Sequence, residues 1–208
     1  IIAIIVINFI VDKILDALNA KHFNDPIPQE LNDVYDETEY KTSQAYKKTN
    51  YLFGIWSSTF SLVLTLGFLL LDGFEYVDTL ARSYSNHPIL VALLFFGIIM
   101  LASSILTLPF SYYRTFVIEE KFGFNKTNKK TFVLDKIKGL LMMAILGGGI
   151  LSLIIWIYQL TQNQFWLYAW GVVTVFTVFM NMFYSKLIVP LFNKQSPLKD
   201  GSLRLKIS

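Results

Sequence analysis

Cysteine is absent from this chain, and histidine occurs only twice in 208 residues. The first absence excludes disulfides, thiolate zinc sites and a cysteine nucleophile, and leaves the redox compartment unread. The two histidines, His22 and His87, lie far apart in sequence with no companion at ligand spacing. A helical zinc hydrolase needs paired histidines one turn apart, with a glutamate beside them as general base. Both histidines therefore read as surface residues. There is no Gly-x-Ser-x-Gly elbow, no Walker glycine loop and no dinucleotide fingerprint, so the sequence contains no complete active site. Charge is scarce as well. Charged residues make up 16% against 54% hydrophobic, with a mean hydropathy of +0.49. That leaves too little polar surface to coat a soluble globule, and the composition is that of a membrane protein.

What the chain does contain is long apolar runs. A helix needs about 20 mainly apolar residues to cross the hydrocarbon core, where no water can satisfy exposed backbone groups. Five segments approach this, at about residues 1–20, 54–71, 88–108, 137–160 and 165–189. The fold class predicted is an all-α membrane protein with five transmembrane helices and interfacial helices on the cytoplasmic side. The chain opens on Ile1 without the basic region that starts a signal peptide, and it reads as a piece of a longer protein.

Basic residues set the orientation. Of 18 Lys and Arg, only Arg82 falls in the second connection, and the fourth, residues 161–164, has none. The others flank the first and third connections and the tail. Basic flanks resist translocation, so these three regions are predicted to be cytoplasmic and the N-terminus outside. A bacterial inner membrane or the endoplasmic reticulum would both fit. The net charge of +3 is explained by this topology and is interleaved with acids such as Asp36, Glu37, Glu39, Glu119 and Glu120. Nucleic acid is not expected as a partner; the lipid bilayer, including its anionic headgroups, is.

Within the spans, Gly147, Gly148 and Gly149 favour close approach of a neighbouring helix, with a hinge or widened cavity as the alternative. Serines and threonines of the second, third and fifth spans can bond their own helix backbone. Asn181 must find a partner in the bundle or face water, and structural pairing is favoured over a ligand contact. The centres of the second to fifth spans hold no ionisable residue, which disfavours a pump or ion-coupled transporter.

The most distinctive sequence follows the third span: Leu108-Pro109-Phe110-Ser111-Tyr112-Tyr113-Arg114, continuing through Glu119-Glu120-Lys121-Phe122-Gly123-Phe124-Asn125. Pro109 is expected to end the span, and the aromatics suit an interfacial helix and turn. That reading leaves unexplained why two carboxylates abut a Phe-Gly-Phe-Asn turn. Asn125-Lys126-Thr127 matches a glycosylation acceptor, but on the cytoplasmic side it is read as chance.

The run LPFSYYRTFVIEEKFGFNK resembles the type I CAAX prenyl proteases, integral-membrane zinc metalloproteases that trim the CaaX tails of prenylated proteins. YDETEYKTSQAYKKTNYLFG before the second span and IVPLFNKQSPLKDGSLRLKI at the end agree in order and spacing. The resemblance covers nearly the whole chain and corresponds to the family's N-terminal region of five membrane helices. It implies that residues 1–208 form part of the wall of a larger helical chamber. It also implies a zinc-bearing catalytic domain downstream, with metal-assisted hydrolysis of prenylated or other peptides as the activity of the longer protein. The family's His-Glu-x-x-His motif has no counterpart here, so no catalytic residue carries over, and the piece alone is expected to bind no zinc and to be inactive. What carries over is positional: Glu119, Glu120, Phe122, Gly123, Phe124 and Asn125 match the family's cytoplasmic motif, which implies contact with the catalytic domain or with substrate. A membrane scaffold or small-molecule transporter module is the alternative.

Overall fold

The computed structural model describes residues 1–23, 25–27 and 36–193. Among them the regular structure is all helical, with no strand. The basic tail positions Lys194, Lys199, Arg204 and Lys206 lie outside the described residues. Two compact units form, residues 1–128 and 129–208.

In the first unit, α1 (Ile2–Ala20) packs on α2 (Glu37–Leu70). The 34-residue α2 starts at Asp36, whose carboxylate accepts from the backbone amides of Thr38 (2.8 Å) and Glu39 (3.1 Å), two of the donors left unpaired at a helix start. At about 1.5 Å per residue α2 is about 50 Å long, well beyond a hydrocarbon core of about 30 Å. Its polar first half, from Glu37 to Tyr51, therefore projects as a continuation of the span rather than as a separate interfacial helix.

The second connection, expected only to join spans, forms α3 (Gly73–Tyr84). Phe74, Val77 and Ala81 recur at helical spacing, and Val77 and Ala81 are buried against α4 (Pro88–Tyr113), which has Pro88 in its first turn. Pro109 does not end the third span. Helix α4 runs through it to Tyr113 and continues as a π-helix, Arg114–Glu119. Proline removes one backbone donor and crowds the preceding turn. Membrane helices absorb this by local 3₁₀ or π adjustment, and here the π segment follows within two turns.

In the second unit, α5 (Lys129–Thr161) and α6 (Phe165–Leu187) form a hairpin closed by a 3₁₀ turn, Gln162–Gln164, with Gln162 at φ 38°. The fifth span breaks at Ile188, and a short α7 (Val189–Phe192) follows, with Pro190 in its first turn. Lys138 Nζ donates to the Leu191 carbonyl at 2.9 Å and lies over the Phe192 ring, fastening this corner to α5. At Gly147 and Gly149 no close approach by another helix is seen among the described residues: a Cβ at Gly149 would meet nothing within 4 Å, and one at Gly147 only Met143 Cγ at 3.8 Å, on its own helix. Asn181 pairs with its own helix, donating to the Thr177 carbonyl at 2.8 Å.

Large apolar side chains cover both units: Trp56 is 76% exposed, Ile105 68% and Val175 70%. Such a surface is incompatible with water and fits lipid or further protein.

Candidate functional site

The motif after α4 folds into a tight corner. A π-helix is in effect an α-helix with one inserted residue, so side chains beyond it are rotated by about 100° relative to an uninterrupted helix. Here the rotation buries Ile118 (2% exposed) and turns Glu119 toward α2. Tyr46 on α2 donates its hydroxyl to Glu119 Oε1 at 2.7 Å, and Arg114 Nε stands 3.7 Å from the same oxygen. The Tyr46 ring also meets Phe122 and Phe124 edge-on, at centroid distances of 5.2 and 4.9 Å.

The backbone then reverses. The Glu119 carbonyl accepts from the amides of Phe124 (2.8 Å) and Asn125 (3.2 Å), and the Glu120 carbonyl from Gly123 (3.1 Å). Gly123 sits at φ +75°, the left-handed conformation that glycine adopts without penalty at a helix C-terminus. Asn125 Nδ2 donates to Glu120 Oε2 at 2.6 Å while its Oδ1 accepts from the Thr127 amide at 2.7 Å, so one side chain bonds both the carboxylate before it and the backbone after it.

All six residues singled out in the sequence are thus brought together in one corner, and the two adjacent carboxylates differ. Glu119 is held by Tyr46 and Arg114 with its side chain 21% exposed, whereas Glu120 is solvent-facing and bonded within the turn. Tyr46 was not singled out, although it lies within a stretch that resembles the family. No local spacing marks a partner 73 residues away.

Two depressions flank the corner. A cleft of about 490 Å³ is lined by Asp16, Asn19, Tyr46, Asn50 and Arg114 among others. An apolar groove of about 510 Å³ runs beside Leu52, Phe53, Trp56, Pro109, Phe110 and Tyr113, with Phe53 and Tyr113 stacked at 5.5 Å.

The described residues do not fit zinc. Among the described residues no group of three His, Cys, Asp or Glu is placed to hold a metal ion. His22 Nδ1 is paired with Asp25 at 2.6 Å on the surface, and His87 stands exposed at the N-cap of α4.

Long apolar helices with apolar faces outward define a multi-pass membrane protein, and the distinctive side-chain contacts of its first unit are gathered in one corner. Residues 16–194 match the family described as CAAX prenyl protease N-terminal, five membrane helices, and the chain belongs to it. It is 36% identical to the CAAX prenyl protease 1 homolog of Caenorhabditis elegans, over 86% of this chain and 40% of that protein. It is 34% identical to the probable CAAX prenyl protease 1 of Schizosaccharomyces pombe, over 86% of this chain and 41% of that protein. The crystal structure of S. mikatae Ste24p superposes with a TM-score of 0.92 at 31% identity, covering 99% of this chain and 50% of that one. The chain spans about half the length, or less, of the relatives it matches.

Proposed function

We propose that the chain is the membrane portion of a zinc metalloendopeptidase of the CAAX prenyl protease type, helping to enclose the chamber in which a prenylated or other peptide is cut. The supporting observation is the near-complete superposition on Ste24p at 31% identity. Its corner from Glu119 to Asn125 would serve as the contact surface toward the catalytic part of the longer protein or toward the peptide on its way there. The neighbouring groove suits that role, since its aromatic and aliphatic lining matches an isoprenoid tail. Because no described group fits zinc, the metal and the hydrolytic step would belong to residues outside those described.

The basic flanks would place this corner in the cytoplasm and the N-terminus outside, in the endoplasmic reticulum or a bacterial inner membrane. Cleavage of a farnesylated CaaX peptide by the complete protein is the test. Alanine substitution of Glu120, Phe124 and Asn125 together is expected to lower kcat/KM by about tenfold or more, as loss of several contacts at one surface would. Wild-type cleavage by a normally expressed triple variant would reduce the corner to a structural turn. No cleavage by the unaltered protein, with or without zinc, would sink the peptidase reading.

A further inference from the structure

We infer that Tyr46 is the positioning residue of the Glu119–Asn125 corner, so that the aim of the corner follows the projecting half of α2 rather than the end of α4. The inference rests on the reading of that corner as a working surface.

The corner's internal bonds fix its shape. Glu119 with Phe124 and Asn125, Glu120 with Gly123 and Asn125, and Asn125 with Thr127 all join residues within one turn of chain. None of these bonds fixes the direction in which the turn points. It is reached through a π-helix, whose wider backbone is less firmly bonded than an α-helix. Direction needs a hold from another element, and Tyr46 provides it twice with one side chain. Its hydroxyl bonds a carboxylate, the stronger class of hydrogen bond, and its ring touches the two phenylalanines on either side of Gly123. A hydroxyl contact at Glu119 and a ring contact at Phe122 and Phe124 grip the turn at both its entry and its exit.

The base of this grip is firm. Helix α2 is continuous from its capped start to an apolar second half, and the side chains of Thr49 and Asn50 bond back to the carbonyls of Ala45 and Tyr46. The π insertion completes the match, because without its rotation Glu119 would not face Tyr46. Glu119 is therefore the anchor of the corner, and Glu120, Phe124 and Asn125 form the edge that is free to meet a partner. Phe124 remains 58% exposed even with one edge against Tyr46.

The test uses the complete protein in lipid nanodiscs and reads hydrogen exchange at amides 122–127 together with cleavage of a farnesylated CaaX peptide. Tyr46→Phe keeps the ring and removes the hydroxyl. It is expected to speed exchange at those amides about tenfold, the effect of losing one hydrogen bond to a charged group. Exchange in α4 should stay unchanged, and KM should rise more than kcat falls. Glu119→Gln retains an acceptor but not the charge and is expected to fall between wild type and Tyr46→Phe. Glu119→Leu also removes the Arg114 contact and should exchange at least as fast as Tyr46→Phe, and the double variant Tyr46→Phe/Glu119→Leu should be no worse than Glu119→Leu alone, because the Tyr46 bond is already lost there. Unchanged exchange in Tyr46→Phe, or full additivity in the double variant, would overturn the inference. Faster exchange with unaltered cleavage would uphold Tyr46 as the hold on the corner and overturn the corner's role in the peptidase.

Discussion

At the scale of single residues, Gly123 and Asp36 make opposite demands on the backbone. Gly123 adopts φ +75° with open space where a Cβ would sit, so Gly123→Ala costs only the left-handed conformation, about 1–2 kcal/mol. Thermal unfolding should show that loss without any new steric clash, and an unchanged melting temperature would contradict the backbone argument. Asp36 is held below the ordinary carboxylate range by the backbone amides of Glu39 and then Thr38. Its contribution to the start of α2 is therefore complete above the ordinary carboxylate pKa and is lost as pH falls through the depressed one. Asp36→Asn should keep the cap and remove that pH dependence, while Asp36→Ala should fray the first turn at every pH. Amide exchange at Thr38 and Glu39 between pH 3 and 7 would separate the two. Gly123 is marked in the sequence only as part of the family motif and Asp36 only as one of several acids, because a helix start outside an apolar run gives no hydropathy signal. Tyr46 was not legible, because its partner is distant and its role exists only after α2 and the π segment come together.

Elements show where patterning alone misleads. Apolar runs locate the spans but not the helices. The run at about 54–71 belongs to a helix beginning at Glu37, and that at about 88–108 to one that passes Pro109. A polar helix half contributes nothing to a hydropathy window, and a proline is read as a stop unless the chain can widen to accept it. Helix α3 was available from the spacing of Phe74, Val77 and Ala81, but its brevity kept it below any membrane criterion. The π segment offers a test at this scale. Deleting Thr115 would restore an ordinary helical period and rotate Glu119 by about 100° away from Tyr46. Such a variant should lose the slow exchange of amides 122–127 that Tyr46→Phe only weakens. Retained protection would show that the bulge does not aim Glu119.

For the whole molecule, the charge distribution makes orientation a definite expectation. Because the chain has no cysteine, single cysteines placed at Ser85 and Lys48 can be labelled with an impermeant maleimide. In intact bacterial cells Ser85 should react directly and Lys48 only after permeabilisation, whereas in sealed microsomes Lys48 should react directly and Ser85 only after permeabilisation; the opposite pattern in either would invert the topology. The purified chain is expected to hold less than one zinc per molecule, and one per chain by atomic absorption would overturn that expectation, which rests on the absence of a fitting ligand group among the described residues. Membership of the CAAX prenyl protease family was readable from the Leu108–Asn125 run because that motif is unusual in composition and order. What a motif match could not supply was the division of labour within it, Glu119 held inward and Glu120 outward, since that depends on helix rotation. The central proposal is that this corner is a contact surface toward the catalytic part of a longer protein or toward its peptide. A photoreactive amino acid at Lys121, beside Glu120 on the exposed edge, tests it most directly in the complete protein. Cross-links to the other half of the polypeptide or to a bound farnesylated peptide are the result predicted; cross-links to lipid alone would contradict the account.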